Sequence, residues 1–192
     1  MLAPKILLSA YAQGVFPMAH DDGRIYWYDP DPRAILPLEK LHIPRRLKQK
    51  INRQPYEIRL DSDFRSVMEA CASLTTRRNS TWIDQNILDS YTLLHQLGYA
   101  HSVEAWLDGK LVGGLYGVSL AGLFAGESMF HTATDASKIC LVYLVNHLRQ
   151  QGFQLLDVQF QTAHLSQFGV IEISRNAYKE RLRLAMQHKV HF

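Results

Sequence analysis

Three polar side chains fall where chemistry could be done. Glu127 lies in LFAGESMF among Phe124, Ala125, Met129 and Phe130, and Asp157 and Gln159 lie two residues apart in FQLLDVQF. A carboxylate in so apolar a run either points to solvent by strand alternation or stands on the wall of an apolar pocket, as in many small-ligand sites. Side chains two apart on one strand share a face, so Asp157 and Gln159 are expected to point the same way. They form either a hydrogen-bonded pair within a sheet or, beside Glu127, two acids and an amide at the mouth of an apolar pocket.

These residues must be positioned by strands. Gly-rich GGLYGVSLAGLFAGESMF reads as two strands, about Leu111 to Val118 and Leu123 to Phe130, turning over Ser119 to Gly122. Glycines inside strands mark bulges or close approaches. Ahead of them Ala100 to Leu107 alternates, and Asp108-Gly109 is a two-residue hairpin signal. Asp135 is expected to cap a helix, ASKICLVYLVNHLRQQ, with Leu141, Leu144, Val145 and Leu148 on one face and Gly152 at its end. Phe153 to Phe160 is then the strand of Asp157 and Gln159. A loop with His164 and Gly169, an extended bit at Ile171 to Ile173 and a helix capped by Ser174 close the chain. Hairpin, strand, long helix, strand implies an α+β fold: a mixed sheet with a crossover helix.

The first part reads as a helix over 4–13, stopped by Gly14, and then an irregular stretch rich in Pro, Asp and aromatics to Pro37. Tyr26, Trp27 and Tyr28 are either core anchors or a stacking surface. Arg33 to Arg53 holds seven Arg/Lys against one acid, Glu39. Pro44 opens a helix there, with Ile43, Leu47 and Ile51 as its buried stripe and Arg45, Arg46, Lys48, Lys50 and Arg53 outward. That face is either simply solvated or meets a phosphate backbone. Tyr56 to Leu60 reads as extended, and Asp61 is expected to cap a helix carrying Phe64, Val67, Met68 and Cys71. Ser73 to Ser80 is a polar loop with Arg77 and Arg78. It delivers Trp82, either a lid on the core or a base-stacking platform, ahead of a helix from Asp84 to Leu97. The expected division is a small N-terminal lobe, 1–60, and a main domain, 61–192.

Composition bounds the classes. With 192 residues, 47% hydrophobic and 20% charged, the chain suits one sizeable domain or a domain plus a lobe. No apolar run is long enough to span a membrane and no signal-peptide anatomy is visible. Cys71 and Cys140 fall in helical patterns and suit a reducing compartment, so the expected location is the cytoplasm. Nine His and two Cys show no close ligand spacing, so no metal is expected. A net charge of +3 does not by itself mark a nucleic-acid binder.

The order of the second half resembles acyltransferases of the GCN5-related acetyltransferase type. Those hold the pyrophosphate of acetyl-CoA in a Gly-rich loop at the start of the crossover helix, whereas HTATDASK has no Gly. No cofactor is therefore expected.

Taken together, AYAQGVFP, DPDPRAIL, LHI, STWI, GYAHSVEAW, LVGGLYGV, GESMF, ASK and LLDVQ, in this order, resemble the leucyl/phenylalanyl-tRNA–protein transferases over nearly the whole chain. The resemblance implies a bacterial enzyme that moves Leu or Phe, and less well Met, from aminoacyl-tRNA to proteins beginning with Arg or Lys, marking them for degradation, and acting as a monomer away from membranes. It implies that Asp157 and Gln159 are the catalytic pair and that Glu127 lies near the reacting amine. Leu115, Phe124, Met129, Leu141, Leu144 and Leu156 match the pocket for the transferred side chain. Trp82 matches a Trp binding the aminoacyl end, and Arg45 and Arg53 match a cluster that touches tRNA. Met18 stands where the family usually has a Trp that stacks on the terminal adenosine, Gln49 and Asn52 replace two basic positions, and Gln167 replaces a Ser. Some thirty residues usual ahead of this start, with a GGDLS segment, are not in the sequence. An aminoacyl ester is already activated, so the expected chemistry is modest: Gln159, oriented by Asp157, positions the amine, and Glu127 and Asp157 attract a cationic chain end. The rival readings are an acetyl-CoA-dependent N-acetyltransferase and a tRNA-binding homologue of weakened activity.

Overall fold

The computed structural model describes residues 1–20, 22–73 and 81–192. Arg77 and Arg78, with the polar loop after Ser73, lie outside the described residues. In chain order the elements are α1 (Pro4–Ala12), β1 (Phe16–Ala19), β2 (Ile25–Tyr28), β3 (Arg33–Ile35), α2 (Arg45–Asn52), β4 (Glu57–Leu60), α3 (Phe64–Ala72), α4 (Gln85–Gln96), β5 (Ala100–Leu107), β6 (Lys110–Leu120), β7 (Leu123–His131), α5 (Ala136–Gln151), β8 (Leu155–Gln159), α6 (Ala163–Ser166), β9 (Ile171–Ile173) and α7 (Arg175–Ala185).

β1 and β2 form a separate hairpin, and the other strands form one sheet in the order β4-β5-β6-β7-β8-β3-β9. Every neighbouring pair in that sheet is antiparallel except β7 and β8, which are parallel. A parallel pair needs a crossover, and α5 supplies it. The α+β architecture with a mixed sheet and crossover helix is therefore the one the pattern implied.

Binary patterning sets the layers. α5 buries Leu141, Leu144 and Leu148 against Leu115, Phe124 and Leu156 of the sheet, with Leu47 of α2 in the same cluster. On the other face Leu7, Met68 and Tyr91 of α1, α3 and α4 meet Tyr116, Val118 and Ala125. α7 lays Tyr178 and Leu182 on Ile35, Leu123 and Leu155. Cys71 and Cys140 are both buried, one under each face. No described helix is long and apolar enough to cross a membrane.

Several local expectations are corrected. The aromatic stretch after Gly14 is a hairpin, and Tyr26 and Trp27 are exposed on it rather than anchoring a core. The β6–β7 turn is tighter than expected, because Ala121 accepts a left-handed conformation beside Gly122. Asp63, not Asp61, caps α3 by accepting from Ser66 N. Asp61 instead accepts from Ser102 N at 2.8 Å and meets His101 Nδ1 at 2.7 Å, tying β4 to β5. Asp135 makes no side-chain cap; its carboxylate pairs with Lys138 and Lys50. The boundary drawn at residue 60 cuts through continuous structure, since β3 lies between β8 and β9 and Leu47 is buried with Leu144 and Leu156.

Candidate active site

β7 and β8 lie side by side only from Leu123 opposite Leu155 to Ala125 opposite Asp157. Past that point β7 follows β6 to His131 while β8 turns along β3. Between the parted strands opens a cleft of about 690 Å³, lined by Leu115, Met129, Leu141, Leu144, Leu156 and Val158, with Glu127 and Gln159 on its rim strands. Its size is that of a small-ligand site.

Two bulges aim the rim residues. Along β6 and β7, Tyr116 faces Ser128 and Gly117 faces Gly126, so Glu127 is the extra residue with no partner. Along β3 and β8, Ala34 faces Gln159 and Ile35 faces Asp157, so Val158 is the extra one. A bulge turns side chains out of simple alternation. Gln159 departs further, with φ +59°. The expectation that Asp157 and Gln159 share a face therefore fails: Gln159 lines the cleft and Asp157 does not.

Glu127 accepts a hydrogen bond from Tyr11 Oη at 2.7 Å, and Tyr11 and Tyr91 are hydrogen-bonded through their hydroxyls. Gln159 Nε2 reaches Glu127 Oε1 at 3.5 Å across the cleft. Burial pushes the Glu127 carboxyl up to about 8; the Asp157 charge adds to this, while the Tyr11 hydrogen bond and Arg33 oppose it. Burial first, then the Glu127 charge, holds the hydroxyls of Tyr11 and Tyr91 well above the usual phenol range.

Asp157 is fully buried behind the cleft. Arg33 Nε and Nη2 donate to its two oxygens at 2.9 and 2.6 Å, and Tyr178 Oη donates at 2.9 Å. Its charge is thus answered inside the protein, and Glu127 is the acid that faces the cleft. A carboxyl titrating near 8 matches an α-amine, whose pKa is also about 8, and can exchange a proton with it near neutrality.

The other expected residues divide. Leu115, Met129, Leu141, Leu144 and Leu156 line the cleft. Phe124 does not: it pairs with Leu156 below the point where the strands part and stacks on Phe192. Trp82 and Met18 pack, partly buried, with the cluster on the opposite face. On α2, Arg45, Arg46, Lys48 and Arg53 are exposed, but Lys50 is half-buried, donating to Thr134 O at 2.6 Å and pairing with Asp135.

Sequence reasoning missed Arg33, Tyr178, Tyr11 and Tyr91. Arg33 opens the basic stretch that ends at Arg53, yet it is 1% exposed. The available signal was its setting: one Arg opening the apolar run RAIL, with a buried acid elsewhere needing a partner. His131, Ser137 and His164, which also line the cleft, carried no signal.

The family model described as leucyl/phenylalanyl-tRNA protein transferase matches residues 35–183, and that of the same family's N-terminal domain matches residues 1–31. The two matches leave residues 32–34 between them, where β3 begins. A leucyl/phenylalanyl-tRNA–protein transferase of Herpetosiphon aurantiacus is 57% identical over 187 residues, covering 97% of this chain and 95% of its own length. That of Paramagnetospirillum magneticum is 51% identical over 193 residues, covering 100% of this chain and 92% of its own. Among solved structures, L-PGS from Bacillus licheniformis aligns at a TM-score of 0.47 and 12% identity, over 80% of this chain and 56% of that one. An aminoglycoside acetyltransferase from an uncultured soil metagenomic sample aligns at a TM-score of 0.44 and 17% identity, over 72% of this chain and 95% of that one.

Proposed function

The chain belongs to the leucyl/phenylalanyl-tRNA protein transferase family, and from that premise we propose that it transfers Leu or Phe, and less well Met, from aminoacyl-tRNA to proteins whose first residue is Arg or Lys. The observation that carries the reading is the cleft between β7 and β8: an apolar chamber with Glu127 and Gln159 meeting across its rim. The donor's side chain fills the chamber beside Met129 and Leu144. The acceptor's α-amine lies between Glu127 and Gln159. Its nitrogen bonds to the ester carbonyl carbon, and the bond from that carbon to the terminal ribose oxygen breaks. Glu127 takes the proton the amine loses and returns it to the departing ribose oxygen. Gln159, its Nε2 turned to Glu127, offers its carbonyl oxygen to the amine and positions it.

Because Arg33 neutralises Asp157, attraction of the cationic acceptor falls to Glu127 in its ionised form, whose share grows as pH rises towards 8. The exposed cations Arg45, Arg46, Lys48 and Arg53 meet the tRNA backbone, which supplies the counter-charge their helix lacks. Marking of the product for degradation, a cytoplasmic setting and a monomeric state rest on the family resemblance.

The test is transfer of labelled Leu or Phe from charged tRNA to a protein beginning with Arg, beside the same protein beginning with Ala. Label on the Arg form alone is the expected result. No label on either, with tRNA still bound, would make the chain a binding homologue, and heat on titration with acetyl-CoA would favour the N-acetyltransferase reading.

A further inference from the structure

We propose that Arg33 and Tyr178 are positioning residues for the reaction, clamping Asp157 so that it fixes Gln159 in the backbone conformation that aims its carboxamide across the cleft. The inference rests on the reading of Gln159 as the residue that orients the amine.

Gln159 has φ +59°, a left-handed conformation that a Gln adopts only when its surroundings impose it. Neighbouring groups impose it. The Gln159 amide donates to Asp157 Oδ1 at 3.0 Å. Asp157 Oδ1 also accepts from Arg33 Nε, and Oδ2 accepts from Arg33 Nη2 and Tyr178 Oη. An ionised carboxylate offers about four acceptor sites, and here four donors occupy them. Asp157 therefore has none left for a substrate, and it lies outside the cleft lining. Apart from the push of its charge on Glu127, any effect it has on the reaction passes through Gln159.

The clamp is itself held from several sides. Arg33 Nη1 donates to Gly14 O at 2.8 Å, at the end of α1. Its guanidinium lies 4.8 Å from the Phe16 ring centroid and 4.3 Å from that of Tyr178. Gly14 is required there twice over: φ is +80°, and a Cβ would come within 2.9 Å of Tyr178 Cε1. Lys cannot replace Arg33, because a point charge cannot make the two parallel bonds of a guanidinium fork. The hairpin side of the molecule, α7 and β8 are thus joined at one buried carboxylate, two residues before the rim.

The experiment is steady-state transfer from Leu-tRNA to an Arg-initiated peptide by Arg33→Lys, Tyr178→Phe, Gln159→Gly and the paired variants, with thermal unfolding of each. Gly is at ease at positive φ, so Gln159→Gly removes the carboxamide and leaves nothing for the clamp to aim. Expected is a fall in kcat on the order of tenfold or more for Arg33→Lys, with KM for aminoacyl-tRNA within about threefold of wild type. On the Gln159→Gly background the same change should cost less than about twofold, because residues acting as a unit are not additive. Tyr178→Phe, which removes one hydroxyl and keeps the ring, should show a smaller loss that also vanishes on that background, and it serves if Arg33→Lys does not fold. Equal losses on both backgrounds, or wild-type kcat for both clamp variants while Gln159→Gly is crippled, would overturn this inference alone. Wild-type kcat for Gln159→Gly would overturn the reading of the site together with it.

Discussion

Glu127 owes its chemistry to its neighbours. An exposed Glu is a weak base at neutral pH; this one, desolvated on the cleft wall and hydrogen-bonded by Tyr11, titrates near 8. Glu127→Gln should lower kcat by about 10²- to 10⁴-fold, the usual contribution of a general base, measured by single-turnover transfer. Tyr11→Phe removes a hydrogen bond that stabilises the carboxylate, so the rising limb of the activity–pH profile should move to higher pH. The same group ties stability to pH. Below its ordinary value of 4.5 the carboxyl holds its proton folded or unfolded; between there and about 8 only the folded state holds it. Stability therefore falls as pH rises through that window and is level above it. The loss should be on the order of a few kcal/mol, and urea unfolding at pH 5 and pH 8 should show it in the parent and not in Glu127→Gln.

At the level of elements, the site exists because strands stop pairing. β7 and β8 part after Ala125 and Asp157, and one bulge on each strand turns Glu127 and Gln159 to the opening. α5 must then start close to the sheet to wall the chamber. Gly113 permits this: a Cβ there would lie 2.5 Å from Ala136 Cβ and 3.1 Å from Ser137 N. Gly113→Ala should destabilise by about 1–3 kcal/mol, as overpacking does, read by chemical denaturation. α2 carries exposed cations and one, Lys50, that is bound by the chain itself. Arg45→Gln should flatten the salt dependence of tRNA binding by about one unit of slope, the loss of one phosphate contact. Lys50→Gln should change the slope less and the melting temperature more, because Lys50 already serves Asp135 and Thr134 at the start of α5.

Over the whole molecule, α5 and its core supply a rigid apolar chamber, and the opposite face supplies the tyrosines that tune the acid. On the function proposed above, donor choice belongs to this scale, since it would depend on the shape left between α5 and the parted strands. Apolar pockets discriminate by only about 1–3 kcal/mol per methylene. Met129→Ala should thus change the ratio of kcat/KM for Phe and Leu donors by roughly tenfold, and an unchanged ratio would remove Met129 from the donor pocket.

The elements that repeat a period were legible before any coordinates: α5 from its stripe of Leu141, Leu144 and Leu148, the β5–β6 hairpin from Asp108-Gly109, and the mixed sheet from their order. Glu127, Asp157 and Gln159 were open to two readings there, a hydrogen-bonded pair within a sheet or a group at the mouth of a pocket. What tertiary structure alone decided was direction and charge. Alternation assigns Asp157 and Gln159 to one face, but a bulge at Val158 and a left-handed Gln159 separate them. Arg33, far away in sequence, turns Asp157 from a free acid into half of a buried ion pair, and the tyrosines of α1 and α4 retune Glu127. The physical reason is range: periodicity reports which side of an element is apolar, whereas bulges and ion pairs depend on which distant segments the folded chain brings together.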